Sequence, residues 1–302
     1  MHRLEQLLPG VYPTERGPFE ITLVDVGSMG GLEDEWEPLA PHLRVIGFEP
    51  DAREFERLEQ SARERHLPFL VLDRSRDATL YVAEDPGKSS VYRPNLAVLR
   101  RFPNPERYAV VGEVPFDAPN VCALDDADVA DPDFLKLDTQ GSELLVLQGA
   151  TRTLESVVAA KVEVEFLELY EGQPLFAEVD ALMRASGFEL IDLDRVFWKR
   201  STYADFEGKG QLAFADALYF RDIDSLLDGE RDPFAKAFRL AVVAVAYGMH
   251  DTAAVIAETY RARGLPSPEP LDALLEEIVR WNISQGGWTH RDGVLGNRPN
   301  RS

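Results

Sequence analysis

Four acids stand where short apolar runs end: Asp25, Glu49, Asp73 and Asp138. The first belongs to ITLVDV, residues 21–26, and is followed by Gly27, Ser28, Met29, Gly30 and Gly31. Glycines in such a turn let the backbone reverse sharply and come close to a ligand, because they carry no Cβ. The second apolar run, Val45–Phe48, ends in Glu49-Pro50-Asp51, and Pro50 disfavours helix at Glu49. A carboxylate about 20 residues beyond a glycine turn can accept both hydroxyls of a nucleoside ribose. The turn is not G-x-G-x-x-G, so it lacks the fingerprint that cradles a dinucleotide diphosphate.

Strands must place these acids together. The spacing predicts buried parallel strands over Ile21–Val26, Val45–Phe48, Phe69–Leu72 and Phe134–Leu137. Edge or further strands are predicted at Ala78–Ala83, Val121–Leu124 and Lys161–Phe166, and a final pair at Phe188–Leu193 and Leu212–Phe220. In KVEVEF, Glu163 and Glu165 share one face, either solvated or part of a site. Helices are predicted over Glu33–Leu39, Ala52–Arg65, Leu144–Gly149 and Glu178–Ser186, with Glu143 in the first turn of the third. Asp85–Ser90 reads as a turn, Arg93–Pro105 as a loop, and Asp194–Gly210 as a long basic and aromatic connection. Alternation of strand and helix predicts a mostly parallel sheet covered on both faces, with an antiparallel pair at its edge. Beyond Arg221 three helices follow without strands, Pro233–Met249, Asp251–Arg263 and Pro268–Trp281, with Asp251 able to cap the second.

The chain has 302 residues, 45% of them hydrophobic, with 53 acids against 32 arginines and lysines and a net charge of −21. Such a balance disfavours nucleic acid and anionic membranes as partners. Cys122 is the sole cysteine, which fits a reducing cytoplasm and excludes an intrachain disulfide. The first ten residues carry no secretory signal pattern, and the longest uncharged apolar stretch, Leu240–Met249, is too short to span a bilayer.

Ligands of open α/β sheets sit outside the carboxyl ends of the strands. Acids gathered there suit a molecule with hydroxyls and a cationic centre, and S-adenosylmethionine has a ribose, an amino group and a sulfonium. DVGSMGG resembles the first motif of class I S-adenosylmethionine-dependent methyltransferases, with Asp25, Gly27 and Gly31 in the expected places. FLKLDTQGSELLVLQGA, residues 134–150, resembles the hallmark of the FkbM methyltransferase family, and PGKSSVYRPN and VEVEFLELYEGQPLFAEVDALMRASGFEL are similar to its members. Two departures stand out: Ser28-Met29-Gly30 replaces a commoner Ala-Asn-hydrophobic, and Lys88 stands where a cysteine often occurs.

The resemblance implies a Rossmann-like, seven-stranded class I methyltransferase sheet with its last strand antiparallel, over residues 19–222. An N-terminal arm (1–18), a helical appendage (231–284) and a frayed tail (285–302) complete the expected organisation. It implies O-methylation of a sugar, glycan or secondary metabolite. By position, Gly27, Ser28 and Gly31 meet the methionine portion of the cofactor, Asp25 its amino group, Glu49 the ribose, Asp73 the adenine, and Asp138 the transferred methyl. Asp138, Glu143 and Glu165 are the candidate bases. A divalent cation is compatible with these acids but no ligand spacing implies one. The competing readings are a dinucleotide or nucleotide-sugar oxidoreductase, and a non-catalytic cofactor-binding protein that assembles through its C-terminal helices.

Overall fold

The computed structural model describes residue 8, residues 11–229 and residues 232–284. Its eleven strands are β1 (Ile21–Val26), β2 (Leu43–Phe48), β3 (Glu64–Leu67), β4 (Leu70–Leu72), β5 (Ala78–Ala83), β6 (Val110–Phe116), β7 (Val121–Ala123), β8 (Phe134–Leu137), β9 (Ala159–Glu165), β10 (Phe188–Trp198) and β11 (Gln211–Arg221). Seven form the main sheet in the order β10-β11-β9-β8-β1-β2-β3. β11 lies antiparallel between β9 and β10, and the other neighbours run parallel. This arrangement is the class I methyltransferase sheet.

Alternation along the strands assigns the two faces. Ile21, Leu23 and Phe134 point to one side, and Val24, Val26 and Leu135 to the other. The second side packs on helices Glu143–Gln148, Thr151–Ser156 and Phe176–Ala185. The first side packs on the helices that follow Arg221, Pro233–Ala246, His250–Ala262 and Glu269–Ser284. The C-terminal helices are therefore the covering layer of one sheet face. Phe234 and Phe238 are buried in the same cluster as Ile21 and Leu23, and each such ring is worth about 1.5–3 kcal/mol of burial.

Several elements differ from the sequence expectation. The helix expected over Ala52–Arg65 stops at Phe55. Its apolar stripe is too thin to bury: Phe55 and Leu58 are half-buried and Ala62 is exposed. The chain instead runs into β3, which takes the sheet edge expected of Phe69–Leu72, while β4 pairs with β7 in a separate two-stranded sheet. Glu33–Leu39 becomes a 3-10 helix, Asp34–His42, interrupted by Pro38 and Pro41. The strand expected to end at Leu193 continues to Trp198 by pairing with β11 through two register shifts. Asp251 lies in the first turn of its helix, and Met249 holds the capping position. The sequence reading also missed β6 and the helices Leu96–Leu99, Thr151–Ser156 and Ile223–Asp228. The first ten residues of the N-terminal arm, Leu8 apart, and the tail 285–302 lie outside the described residues.

Candidate functional site

A cleft opens at the carboxyl ends of β1, β2 and β8. It is lined by Gly27, Met29, Glu49, Asp51, Asp138 and Gln140 among others, and encloses about 90 Å³. Glu49 is 6% exposed. Its Oε1 accepts the Asp51 backbone N–H at 2.8 Å, and among the described residues no hydrogen bond reaches its Oε2. Burial, opposed by that hydrogen bond and reinforced by Asp51, Glu54 and Asp25, pushes its pKa up to about 7. Asp51 is held in turn by Arg53, whose Nη2 donates to it at 2.6 Å.

Gly27 has φ +84°, and a Cβ there would strike the carbonyl oxygen of Asp138. The glycine is thus required by a close backbone crossing between the turn after β1 and the end of β8. The Asp138 N–H also donates to Val26 O at 3.0 Å. Gly31 has open space around it and does not line the cleft. Ser28 is fully buried and turns away from the cleft. Its Oγ lies 3.0 Å from His66 Nδ1, and His66 Nε2 lies 2.9 Å from Glu64 Oε1. Gly47 leaves the room for this chain, since a Cβ there would meet both His66 and Ser28. Asp25 sits behind the turn, with Lys136 donating to it at 3.0 Å. Burial raises its pKa to about 6 against the pull of Lys136. Asp73 is outside the cleft and pairs with Arg74 and Arg76.

The other wall is centred on Gln140, to which the sequence reading gave no role. Its Nε2 donates to Asp138 Oδ1 at 2.7 Å and to Glu163 Oε2 at 2.8 Å. Its Oε1 accepts from Lys88 Nζ at 3.1 Å and from Tyr170 OH at 2.9 Å. The amide is therefore locked in one orientation. Its backbone has φ +54°, a left-handed geometry uncommon for a side-chain-bearing residue, and its carbonyl accepts the Ser90 hydroxyl at 2.7 Å. Glu143 is held by the same turn: Oε1 accepts from Thr139 N at 2.6 Å and Oε2 from Gly141 N at 3.0 Å. Its pKa is pushed up to about 7, chiefly by burial. Glu163 and Glu165 are buried rather than solvated, and burial with neighbouring acids holds both carboxyls well above the usual range.

Asp138, Glu143 and Glu163 bring carboxylate oxygens within 4.8 Å of one another. The donors already present offset them: backbone N–H groups occupy Glu143, and the Gln140 amide bridges the other two. A divalent cation would have to displace that amide.

Glu49, Gly27 and Asp138 thus share one hollow, with Asp25 immediately behind it; Ser28, Gly31 and Asp73 are not brought to it. Asp51, Gln140 and Lys88 went unassigned in the sequence, although all three lie within or beside the quoted motifs. Hydrogen-bond roles of this kind depend on turn geometry, which residue type alone does not reveal.

Strand order and acid-tipped strands together define a class I methyltransferase. The family model of the FkbM methyltransferase domain matches residues 25–190, and the chain belongs to that family of S-adenosylmethionine-dependent methyltransferases. No curated protein matches the chain in sequence. Among solved structures, FkbM methyltransferase from Methylobacillus flagellatus KT is 15% identical with a TM-score of 0.34, over 67% of this chain and 43% of that one. The chain therefore spans less than half the length of that relative. Magnesium protoporphyrin IX methyltransferase from Synechocystis PCC 6803, with bound SAM, is 8% identical with a TM-score of 0.35, over 73% and 79%. 1,6-Didemethyltoxoflavin-N1-methyltransferase from Burkholderia thailandensis is 12% identical with a TM-score of 0.34, over 72% and 76%. Likeness at this level adds nothing to the strand order itself.

Proposed function

We propose that the protein moves a methyl group from S-adenosylmethionine to a hydroxyl of a sugar, glycan or secondary metabolite. The observation that carries this reading is that Glu49 and Asp138 face one cleft from either side of the Gly27 crossing. The cofactor supplies a methyl group activated by a sulfonium. Glu49, through the oxygen not held by Asp51, would bind the ribose hydroxyls. Asp25 would act on the amino group from behind the turn, moderated by Lys136. Asp138, half-exposed in the cleft, would orient the acceptor hydroxyl and take its proton as oxygen attacks carbon. Gln140 would fix Asp138, and Glu143 would anchor the turn rather than act as base. Glu165 would serve behind the site, since its burial keeps it from the acceptor.

Residues 19–222 would form the catalytic domain, roofed on one face by the helices that follow. Assembly through those helices remains part of the proposal, as does a cytoplasmic location. No helix among the described residues is long and apolar enough to cross a membrane. The oxidoreductase reading falls with the family and with the antiparallel β11, which a parallel dinucleotide-binding sheet lacks.

The test is calorimetric titration with S-adenosylmethionine followed by mass spectrometry of a panel of hydroxylated acceptors. Saturable cofactor binding and methylated product support the reading. Binding without turnover on any acceptor favours the non-catalytic alternative, and absence of binding removes both.

A further inference from the structure

The cleft that holds Glu49 and Asp138 encloses about 90 Å³, whereas sites that take a small molecule run to about 300 Å³ or more. S-adenosylmethionine carries a nucleoside and an amino acid, so part of the lining must give before it can enter. Met29 stands where this can happen. It lines the cleft on the β1 side and is 41% exposed, and Pro86, Gly87 and Ser89 supply another part of the lining. The Met29 thioether reaches to Gly87: a Cβ built on Gly87 would lie 2.9 Å from Met29 Cε and 3.6 Å from Sδ. A residue without a side chain at position 87 leaves the seat on which Met29 rests.

Both backbones beside this contact are tied down. On the β1 side, Gly27 and Ser28 each donate their N–H to Phe48 O, at 2.9 and 3.1 Å, and Gly31 donates to Ser28 O at 3.2 Å. Gly27 is wedged against the Asp138 carbonyl, and Ser28 is held by His66. On the Gly87 side, the turn Pro86–Lys88 is fastened at each end. Asp85 Oδ1 accepts the Gly87 N–H at 3.1 Å, and Arg107 Nε donates to Asp85 Oδ2 at 2.8 Å. The Ser90 hydroxyl donates to Gln140 O at 2.7 Å. What is left to move is the Met29 side chain, which is unbranched, apolar and flexible. Swinging it off Gly87 breaks no hydrogen bond.

We propose that Met29 is a side-chain gate: resting on Gly87 it bars the cleft, and its departure admits S-adenosylmethionine. The inference rests on the reading that this cleft takes the cofactor, and it assigns the residue that governs entry there. Entry then needs the rotation of one side chain, while the turns at the strand tips stay in place. Time spent closed lowers the association rate by the fraction of molecules that are open. A residue that merely packed against the bound cofactor would act on its departure instead, so the two roles separate in the rate constants.

The test is stopped-flow binding of S-adenosylmethionine to the full chain, with melting temperature as the control for folding. Met29→Ala should raise the association rate constant by about fivefold or more and leave the melting temperature unchanged. Gly87→Ala, whose added methyl displaces the Met29 tip, should change the association rate while Met29 is present. On the Met29→Ala background the same substitution should do nothing. A second readout needs no cofactor. With four methionines in the chain, the carbon-13 methyl resonance of Met29 is assigned by its loss in Met29→Ala, and Gly87→Ala should shift it. The gate is overturned if Met29→Ala leaves the association rate unchanged or speeds dissociation alone. It is equally overturned if Gly87→Ala acts as strongly without Met29 as with it, or if the Met29 resonance does not move. Cofactor affinity that falls in Glu49→Gln, with association rates indifferent to Met29, would sink the gate and leave the methyl-transfer reading standing. A wild type that binds no cofactor would remove both.

Discussion

The two walls of the cleft are built on opposite terms. On the β1–β2 side most polar groups are held internally, Ser28 by His66, Asp25 by Lys136 and Asp51 by Arg53, and one Glu49 oxygen is left open. On the β9–β11 side the floor around Gln140 is equally closed, but Asp138 is left half-exposed in the cleft. A wall that meets the same cofactor at every turnover can be fully preorganised. A wall that admits an acceptor must keep binding groups available.

The most damaging test of this contrast is Gly27→Ala. A Cβ at φ +84° driven into the Asp138 carbonyl should cost about 2–4 kcal/mol, read as a lower melting temperature together with lost cofactor affinity. A variant as stable as wild type would show that the two walls are not in fixed contact. Asp138→Asn should lower kcat by about 100-fold or more, the range for a lost proton acceptor, with little change in melting temperature. An equal fall in stability would make Asp138 a structural acid.

Glu49→Gln should weaken S-adenosylmethionine binding by about 1–3 kcal/mol. The wild type also carries a pH signature. The Glu49 pKa is raised to about 7 in the free protein, so the unliganded fold is penalised progressively as pH rises from the unfolded value through 7. A ribose that donates to the ionised carboxylate releases its proton. Affinity should therefore climb between about pH 5.5 and 7.5 and then level off, and the Gln variant should flatten that rise. Asp25, raised to about 6, would account for any residual slope at the acid end.

Ser28→Ala is expected to have the smallest effect. It leaves His66 Nδ1 without its partner, worth about 1 kcal/mol of stability, and should raise the KM for the cofactor with kcat unchanged. If KM does not move, the Ser28–His66–Glu64 chain supports the sheet edge and not the turn.

Much of the fold could be read from apolar spacing. β1 and β8 fall where the sequence placed them, because runs buried on both faces leave an unambiguous signal, and β5 does so through the alternation of an edge strand. The stretch after Asp51 could not, since its choice between helix and β3 was made by the open edge of β2, a tertiary contact. For the site, strand-end acids were legible as types and motif positions. Which of them face the cleft was not: Asp73 is drawn off by Arg74 and Arg76, and Ser28 by His66. The importance of Gln140 comes from its left-handed backbone and four simultaneous bonds, neither of which a letter in a sequence conveys.

The backbone crossing of Gly27 and Asp138 has a wider meaning. With no side chain between them, the turn proposed to hold the donor and the acid proposed to meet the acceptor are in direct backbone contact. Any shift that loading the first partner imposes on one strand tip must be felt at the other. Order of substrate entry could then be set by mechanical registration, without a mobile lid.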